Sequence, residues 1–300
     1  MADLIDVHSH FLADRFVAEA IAAGHTLPDG MPAWPTWDAE THRRLMDRWG
    51  IARSILSISS PGVHFGDPRR ACELSRHVND VGAATATGRA DRFGHFASLP
   101  LPDVDASVAE AVRALDELDS DGIAVLSSAA GRYLGDERYV PLWAEIDRRD
   151  AVVFVHPTSS RHAEELALGR PRSMMEFFFD SACAAADLVF AGALARFPRV
   201  RWLFSHCGGT LPVLADRLDL SGPSFWAAPP SSRVSSTSSP RSGGTAPDRR
   251  SRVSSRHSGR PSAPITWFTA ATTASHPLPA WTPSSSRSTR LARRWATRER

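Results

Sequence analysis

The sequence predicts an α/β fold, most economically a (β/α)8 TIM barrel truncated to about six strands. Within residues 1–220, short apolar runs alternate with longer helical patterns, which is typical of repeated strand–helix units. Several runs are apolar at almost every position, as expected for strands buried on both faces of a parallel sheet. Only six such runs occur, whereas a closed barrel needs eight. A doubly wound sheet fits the same periodicity and is the alternative.

The strands and helices alternate through the first 220 residues. Runs such as AVVFVHP and VRWLFSH are predicted as strands from their apolar character. In DASVAEAVRALDEL, Asp105 is placed to cap the N-terminus of an amphipathic helix, and the turn DSDG follows that helix. The predicted strands cover residues 4–8, 52–57, 94–99, 122–126, 152–156 and 201–206.

Residues 221–300 differ sharply in composition from residues 1–220. The whole chain carries a net charge of +2, but this segment holds 13 Arg and only two acids, Asp248 and Glu299. It is rich in Ser, Arg and Pro and has little apolar material to bury, so we predict a disordered tail. A basic arm of this kind can bind nucleic acid. That function is the less favoured one, because the tail stands where barrel strands should be instead of following a completed domain.

The cysteine content and the lack of long apolar segments indicate a cytoplasmic protein. Cys72, Cys183 and Cys207 are an odd number without CxxC spacing, which argues against a disulfide framework. The N-terminal residues MADLIDVHSHF lack the basic region and apolar run of a signal peptide. No segment approaches the ~20 apolar residues of a membrane helix, so no membrane contact is expected.

Four histidines lie at the ends of predicted strands. His8 and His10 are two residues apart in DVHSH, so their imidazoles point to the same side of the strand as a chelating pair. His156 ends VVFVH, and His206 ends WLFSH. Parallel α/β folds place active sites at these strand ends, and neutral imidazoles on one open face suit Zn²⁺ or another divalent metal. For an isolated HxH pair, the alternative is two structural histidines.

The remaining polar candidates have weaker patterns. His64, in GVHFGDP after the second strand, can either face the pocket and meet an anionic substrate or shape the turn together with Asp67. Arg132, in GRYLGD, can contact a substrate carboxylate, although a solvated loop arginine is favoured. His95 is expected to pack within the barrel, and Cys207 is expected to be a packed thiol. The histidines expected at the surface are His25, His42, His77 and His162.

Seven motifs, in order along residues 3–220, resemble one family of metal enzymes. They are DVHSHF, SSPGVHFGDP, HVND within a helix, RFGHFASLPLPDVD, GRYLGD, VVFVHPTS and FSHCGGTLP. Together they resemble the amidohydrolase-related enzymes of the aminocarboxymuconate-semialdehyde decarboxylase type. The SPGVHFGDP and HPTS variants are most similar to the branch that includes 6-methylsalicylate-type decarboxylases.

The resemblance implies a metal-dependent-hydrolase-like barrel with a defined role for each histidine. His8, His10 and His156 would bind a divalent metal, Zn²⁺ or else Mn²⁺. His206 would be the catalytic residue that contacts the substrate or metal-bound water. The implied reaction is the non-oxidative decarboxylation of a small carboxylic acid, with aromatic acids among the candidates, and a family-like homo-oligomer is compatible with the resemblance. Hydrolysis is the alternative, since a metal-activated water serves that reaction equally well.

The resemblance also implies an aspartate that this sequence lacks. In the family, a GSD motif on the eighth strand completes the metal shell and supplies the candidate acid, but no GSD follows residue 206. Read one base earlier, the codons of residues 266–277 permit LVYGSDYCFTP, and those of 247–258 permit PPFPRQLPAL, in family order. We infer that residues from about 221 onward are translated out of frame, so the chain as written has weak or no activity. The remaining alternative is a catalytically dead product with a basic nucleic-acid-binding tail.

The gene itself checks this reading-frame hypothesis. For the stretch PITWFTAATTASHPLPAW, residues 264–281, we expect the DNA one base back to encode Gly-Ser-Asp, with the aspartate across the codons of Ala271 and Thr272. The measurement is resequencing of the gene on both strands. A gene that encodes no GSD near codon 271 in that frame contradicts the hypothesis.

Overall fold

A parallel β-sheet flanked by helices forms the centre of the computed structural model, which describes residues 4–220 and the pair Thr266–Trp267. The seven parallel strands follow the order β1-β2-β3-β4-β7-β8-β9, and the two strands of an antiparallel hairpin, β5 and β6, form a separate sheet. The strands are β1 (Leu4–His10), β2 (Ile51–Ser57), β3 (Phe93–Ser98), β4 (Gly122–Leu126), β5 (Ser128–Ala129), β6 (Arg132–Tyr133), β7 (Val152–His156), β8 (Arg201–Phe204) and β9 (Thr266–Trp267).

Helices occupy the connections between successive parallel strands from β1 to β8, as the strand–helix periodicity predicts. Among the described residues, none of the helices is both long enough and apolar enough to cross a membrane. Short 3-10 turns cover Pro28–Gly30, Glu137–Tyr139, Arg172–Met174 and Ser205–Gly208. The α-helices are α1 (Asp14–Ala22), α2 (Ala39–Trp49), α3 (Pro68–Thr87), α4 (Val104–Asp116), α5 (Val140–Arg148), α6 (Ala163–Ala167), α7 (Glu176–Phe190), α8 (Ala193–Arg196) and α9 (Leu211–Leu220).

The six predicted strands are confirmed, and their boundaries differ from the prediction by at most two residues. The hairpin β5-β6 is an addition, since strands of two residues carry no periodicity that a sequence pattern can detect. No strand is predicted after residue 206, whereas the structure has β9 paired parallel to β8 through Leu203 and Phe204. The predicted disordered tail, residues 221–300, otherwise lies outside the described residues.

The central strands of the sheet are buried on both faces, which explains why they are largely apolar. One face carries a small cluster to which each of five neighbouring strands contributes one side chain: Ile55, Phe96, Ala124, Phe154 and Leu203. The other face packs against the helices in a larger cluster that includes Val153, Val155, Trp143 and Trp202. This arrangement matches strands of a parallel sheet with helices on one side and a filled interior on the other.

Two predictions about individual polar residues are wrong. Asp103, not Asp105, caps α4, because the helix begins at Val104 and the Asp103 carboxylate accepts from the backbone N–H of Ala106. His42 is buried instead of exposed, because it lies on the inner face of α2. Its Nδ1 accepts from Trp37 Nε1 at 3.1 Å, and its Nε2 lies 3.4 Å from the Ser54 hydroxyl. Helix α2 has too few apolar residues for their spacing to show which of its faces is buried.

The other predicted packing positions are largely as expected. His95 is buried in β3, and its Nε2 lies 2.8 Å from the hydroxyl of Ser120. His25 and His162 are exposed, and His77 is partly buried. Burial lowers the pKa of His95 to about 4, so this histidine is a neutral packed residue near pH 7.

A buried asparagine joins α3 to the carboxyl end of β3. Asn79, from the HVND motif, donates through Nδ2 to the Ser98 carbonyl at 2.9 Å and to Glu110 Oε1 at 2.7 Å. Its Oδ1 accepts from the Ser98 backbone N–H at 2.7 Å. Because Glu110 belongs to α4, this one amide connects two helices and a strand end. Its three hydrogen bonds satisfy polar groups that have no access to water.

Replacing this amide should destabilise the fold. In Asn79→Ala, the buried Ser98 N–H loses its side-chain partner, and the buried Glu110 carboxylate loses one donor and keeps Arg113, so we expect the free energy of unfolding to fall by about 3 kcal/mol. Urea unfolding followed by circular dichroism measures the change. The matched control is Asp80→Ala, which removes the neighbouring carboxylate, 58% exposed and paired with Arg113 at the surface; its loss should stay below about 1 kcal/mol. Equal losses in the two variants would contradict the prediction.

Candidate metal centre

The four histidines of the predicted site lie at one edge of the sheet. His8 and His10 stand on β1 two residues apart, which puts both rings on the same side of the strand. His156 is the last residue of β7, and His206 lies two residues past the end of β8. Since parallel strands present their carboxyl ends at the same edge, the fold brings together the residues that the sequence selects.

Three of these histidines form one compact cluster. The ring centroids are 4.9 Å apart for His8 and His10, 5.0 Å for His8 and His156, and 4.7 Å for His10 and His156. One ring nitrogen of each lies within 4.8 Å of the others, and among the described residues they form a group that could hold a metal ion. The ring of His206 lies 4.9 Å from that of His8 and 6.1 Å from that of His156. It therefore stands beside the cluster and not within it.

Backbone contacts fix which nitrogen of two rings is free. The Nδ1 of His156 lies 2.7 Å from the Pro157 carbonyl, and the Nδ1 of His10 lies 3.4 Å from the Ser57 carbonyl. The Ser57 hydroxyl lies nearer to the His10 Nδ1, at 3.2 Å, and because this hydroxyl donates to the Ser9 carbonyl at 3.3 Å its oxygen accepts from the ring. A carbonyl oxygen can only accept, so each Nδ1 carries the proton and each Nε2 keeps its lone pair. The Nδ1 of His8 is buried and has no hydrogen-bond partner within the described part of the chain.

Burial keeps all four imidazoles neutral near pH 7. Loss of hydration lowers the pKa of His10 to about 4, and it lowers the pKa of His8 and of His156 well below the usual value. Repulsion among the clustered rings lowers these values further. Burial alone lowers the pKa of His206. Neutral imidazole is the form that binds metals, so no deprotonation cost opposes binding at neutral pH.

These donors fit a divalent metal of borderline softness. Three neutral ring nitrogens, one of them an orphaned buried atom in His8, match the ligand set of a catalytic zinc site with an open position. A carboxylate is absent from this group of described residues. Asp6, on the same strand, already accepts from the Ser9 hydroxyl at 2.7 Å and from the His8 backbone N–H at 3.0 Å. Both Asp6 oxygens therefore hold the local path of β1, and the histidines remain the candidate metal ligands.

A left-handed turn presents His206 to the cluster. His206, Cys207, Gly208 and Gly209 have φ values of 52°, 55°, 74° and 65° in succession. At Gly209 a side chain is impossible, because a Cβ atom would lie 2.0 Å from the Phe178 carbonyl oxygen. The same carbonyl accepts from the Thr210 N–H at 3.1 Å, and the Phe178 ring lies 5.1 Å from the His206 ring. Helix α7 therefore holds this turn, and Cys207 is partly buried beside it.

A cavity of about 490 Å³ opens at the same edge of the sheet. Its lining includes Ile58, Ser98, Leu126 and Thr158, which end or directly follow β2, β3, β4 and β7. None of the four histidines lines it. The cavity is thus a neighbouring compartment over the central strands, and its mixed apolar and polar walls suit a small organic molecule.

The two predicted substrate contacts occupy different surroundings. His64 lines the cavity, and its Nδ1 accepts from the Gly66 N–H at 3.3 Å, so it also shapes the turn. Asp67 instead caps α3 by accepting from the N–H groups of Arg69 and Arg70. Arg132 is exposed at the hairpin, with its Nε 3.8 Å from Asp136, and it does not line the cavity. The structure therefore places it as the solvated loop arginine that the sequence favours.

The carboxyl group that lines the cavity, that of Asp29, was not among the residues predicted from the sequence. Asp29, in the turn between α1 and α2, accepts through Oδ1 from the hydroxyls of Ser60 at 2.8 Å and Ser159 at 3.2 Å. Burial raises the pKa of Asp29, and the two hydroxyl groups oppose that shift. The only sequence signal was the pair of serine-rich loops SSPG and PTSS after two predicted strands. Their convergence on Asp29 is long-range and is set by the fold.

Comparison with known proteins relates the chain to one family of enzymes. The model of the amidohydrolase family matches residues 5–252. The decarboxylase yanB of Aspergillus niger is 37% identical over 226 residues, which are 72% of this chain and 61% of that protein. The 6-methylsalicylic acid decarboxylase acuB of Aspergillus aculeatus is 36% identical over 219 residues, 71% of this chain and 65% of that protein. The chain thus spans less than two thirds of the length of these relatives.

Solved structures share the fold. An amidohydrolase II superposes with a TM-score of 0.72 at 28% identity, covering 75% of this chain and 74% of that one. A 2,6-dihydroxybenzoate decarboxylase with bound 2,6-dihydroxybenzoate gives 0.62 at 26%, covering 77% and 74%. The 5-carboxyvanillate decarboxylase of Novosphingobium aromaticivorans, with manganese, gives 0.66 at 25%, covering 73% and 69%. The family match extends past residue 220, and the shifted reading frame stays a prediction.

The cluster geometry predicts different effects on metal binding for neighbouring histidines. Removing a ligand in His10→Ala should weaken Zn²⁺ binding by about 100-fold or more, because two nitrogens remain. His206→Ala should change the affinity by less than about tenfold, since its ring stands outside the cluster. Competition with a chelating dye at pH 7.5 measures both affinities against the unaltered chain. A loss in His206→Ala as large as that in His10→Ala would show that the ligand set is wrong.

Proposed function

Because the chain belongs to the amidohydrolase family, we propose that its three-histidine centre serves a metal-dependent, non-oxidative decarboxylase of small aromatic carboxylic acids. The observation that carries this proposal is the cluster of His8, His10 and His156 beside a cavity at the carboxyl ends of the strands. Relatives that share more than a third of its residues over this region are decarboxylases, one of them of 6-methylsalicylic acid. The resemblance seen in the sequence motifs points to the same branch.

The described residues divide the work between holding the metal and orienting the substrate. The Nε2 atoms of His10 and His156 keep the free lone pairs, so these rings would hold the metal together with His8. A bound divalent metal supplies Lewis-acid stabilisation of the charge that develops as CO2 leaves. The apolar walls of the cavity, such as Leu99 and Leu126, orient an aromatic ring and exclude water.

His206 orients the substrate but is a poor proton donor. Burial lowers its pKa, so near pH 7 it is a neutral imidazole that donates a single hydrogen bond. Protonation of the substrate carbon needs a stronger acid, and the family resemblance assigns that role to an aspartate from the eighth strand. The codons for that aspartate fall in the segment for which we infer a shifted frame. The chain as written is therefore proposed to be strongly impaired.

Zinc is the proposed metal, with manganese as the alternative. Neutral nitrogen donors suit zinc, whereas manganese prefers oxygen ligands. The 5-carboxyvanillate decarboxylase relative holds manganese, so a carboxylate ligand restored from the eighth strand would shift the preference toward that metal. His64 is retained as a substrate contact, since it lines the cavity. Arg132 has no such support from its position.

Hydrolysis is the second candidate reaction, because the family as a whole is described as amidohydrolase and a metal-activated water serves hydrolysis as well. A nucleic-acid-binding role for residues 221–300 falls outside the described residues and is not favoured. We also propose a cytoplasmic enzyme, supported by three cysteines, Cys72, Cys183 and Cys207, that form no disulfide. A homo-oligomer is proposed from exposed apolar side chains on α7, such as Phe179 and Phe190.

An activity comparison tests the proposal. The chain as written and a version with the inferred frame restored are each loaded with Zn²⁺ or Mn²⁺. They are then given 6-methylsalicylate, 2,6-dihydroxybenzoate or an aryl ester. We expect the restored protein to release CO2 from an aromatic acid, and the chain as written to be ~10²–10⁴-fold slower for lack of its acid.

A control variant and two contrary outcomes complete this experiment. His10→Ala in the restored protein should abolish CO2 release, because the metal is lost. Ester hydrolysis by the restored protein without CO2 release from any acid would favour the hydrolase. An absence of both reactions together with an absence of bound metal would overturn the proposed centre as a whole.

A further inference from the structure

Two buried carboxylates on α7 stand directly behind the loop that follows the metal ligand His156. Glu176 and Asp180 are 0% and 3% exposed, and their spacing of four residues puts them on one face of the helix. The loop they face covers residues 157–160. It also contributes Thr158 and Ser159 to the cavity wall.

The Asp180 carboxylate accepts hydrogen bonds from three different segments of the chain. Its Oδ2 accepts from the Thr158 backbone N–H at 3.3 Å and from the Ser127 hydroxyl, and its Oδ1 accepts from the Tyr133 hydroxyl at 2.9 Å. The Thr158 N–H also donates to the Ser127 hydroxyl at 3.0 Å. One carboxylate therefore ties the end of β4, the β5-β6 hairpin and the loop after β7 into a single network.

Glu176 holds the far end of the same loop. Its Oε1 accepts from the Ser160 backbone N–H at 3.0 Å, whereas its Oε2 is buried without a hydrogen-bond partner. Within the described residues, neither Glu176 nor Asp180 forms a salt bridge. Burying two carboxylates without a cation is costly, and burial raises the pKa of each. The hydrogen bonds from the backbone N–H groups of Thr158 and Ser160 partly offset this cost, and they anchor the loop.

The anchored loop in turn fixes His156. The His156 carbonyl accepts from the Ser127 N–H at 2.7 Å, and its Nδ1 donates to the Pro157 carbonyl at 2.7 Å. The position of Pro157 depends on the path of the loop, which Thr158 and Ser160 set through their bonds to α7. If the loop moved, the Nδ1–H of His156 would lose its acceptor. The proton could then lie on either ring nitrogen, and Nε2 would no longer be fixed as the nitrogen that is free to bind metal.

We propose that Asp180 and Glu176 are positioning residues of the metal centre, which hold His156 in one tautomer and one orientation through the 157–160 loop. This role rests on the proposed metal centre and adds to it a support that no histidine supplies. The two carboxylates are not part of the three-histidine cluster, and neither lines the cavity. They act through hydrogen bonds to the loop backbone.

The experiment compares Asp180→Asn with Asp187→Asn. Asp187 lies on the same helix and also accepts from a backbone N–H, that of Gly135 at 2.6 Å, but Gly135 lies beyond the hairpin and away from the loop after His156. The first readout is Zn²⁺ affinity by chelator competition. The second is the ¹⁵N spectrum of the histidine ring nitrogens in the metal-free protein, with His156 assigned by His156→Gln. Urea unfolding of each metal-free variant records its stability.

Asp180→Asn should weaken Zn²⁺ binding by about 10-fold or more, and the His156 signal should change from one tautomer to a mixture. Asp187→Asn should leave both the Zn²⁺ affinity and the His156 signal unchanged, even if it lowers the stability of the metal-free protein as much as Asp180→Asn does. Equal effects of the two variants, or no effect of Asp180→Asn, would overturn the proposal. If Asp180→Asn does not fold, Ser127→Ala takes its place, since it removes the hydroxyl between Asp180 and Thr158. Unaltered chain that binds no metal would contradict the proposed function, while the ring spectrum still decides the positioning role.

Discussion

Curvature of the sheet is the constraint on which the site depends. In the sheet, β2, β3 and β4 separate β1 from β7, and a flat sheet would hold β1 and β7 about 19 Å apart. The rings of His8 and His156 are nevertheless 5.0 Å apart. The strands must therefore curl until the first faces the fifth across the interior. The apolar cluster that includes Ile55, Phe96 and Phe154 fills that interior, so the packing that bends the sheet also brings together the three histidines of the proposed metal centre.

The first strand of this curved sheet is more exposed than its central strands. Leu4 and Ile5 on β1 are 55% and 52% exposed, although the central strands are buried on both faces. β1 is an end strand of the described sheet, and on the other side the last pairing is the two-residue β9. A barrel would cover both edges with its remaining strands. The histidine centre thus lies near the open edge of the curled sheet, and within the described residues β1, which carries His8 and His10, pairs with β2 alone.

Much of this arrangement follows from local sequence patterns, and the rest does not. His8, His10 and His156 were predictable because strand periodicity and strand ends are local properties, and parallel pairing converts them into proximity. The contact of Asp29 with Ser60 and Ser159 was not, because it joins three loops far apart in the chain. The roles of Glu176 and Asp180 were not predictable for a related reason. On an otherwise apolar helix a carboxylate reads as an exposed residue, and only the path of the 157–160 loop shows what it holds.

The charge of the site determines what it can do without a further carboxylate. The three histidines of the proposed metal centre are neutral, so a bound divalent ion would keep its full charge in a poorly hydrated site. An anionic substrate would supply part of the missing negative charge and would bind well. Decarboxylation also requires a proton for the carbon, and His206, neutral because burial lowers its pKa, is a weak source. Substrate binding should therefore survive in such a centre when turnover does not, because recognition of the carboxylate needs the metal alone while the chemical step needs an acid as well.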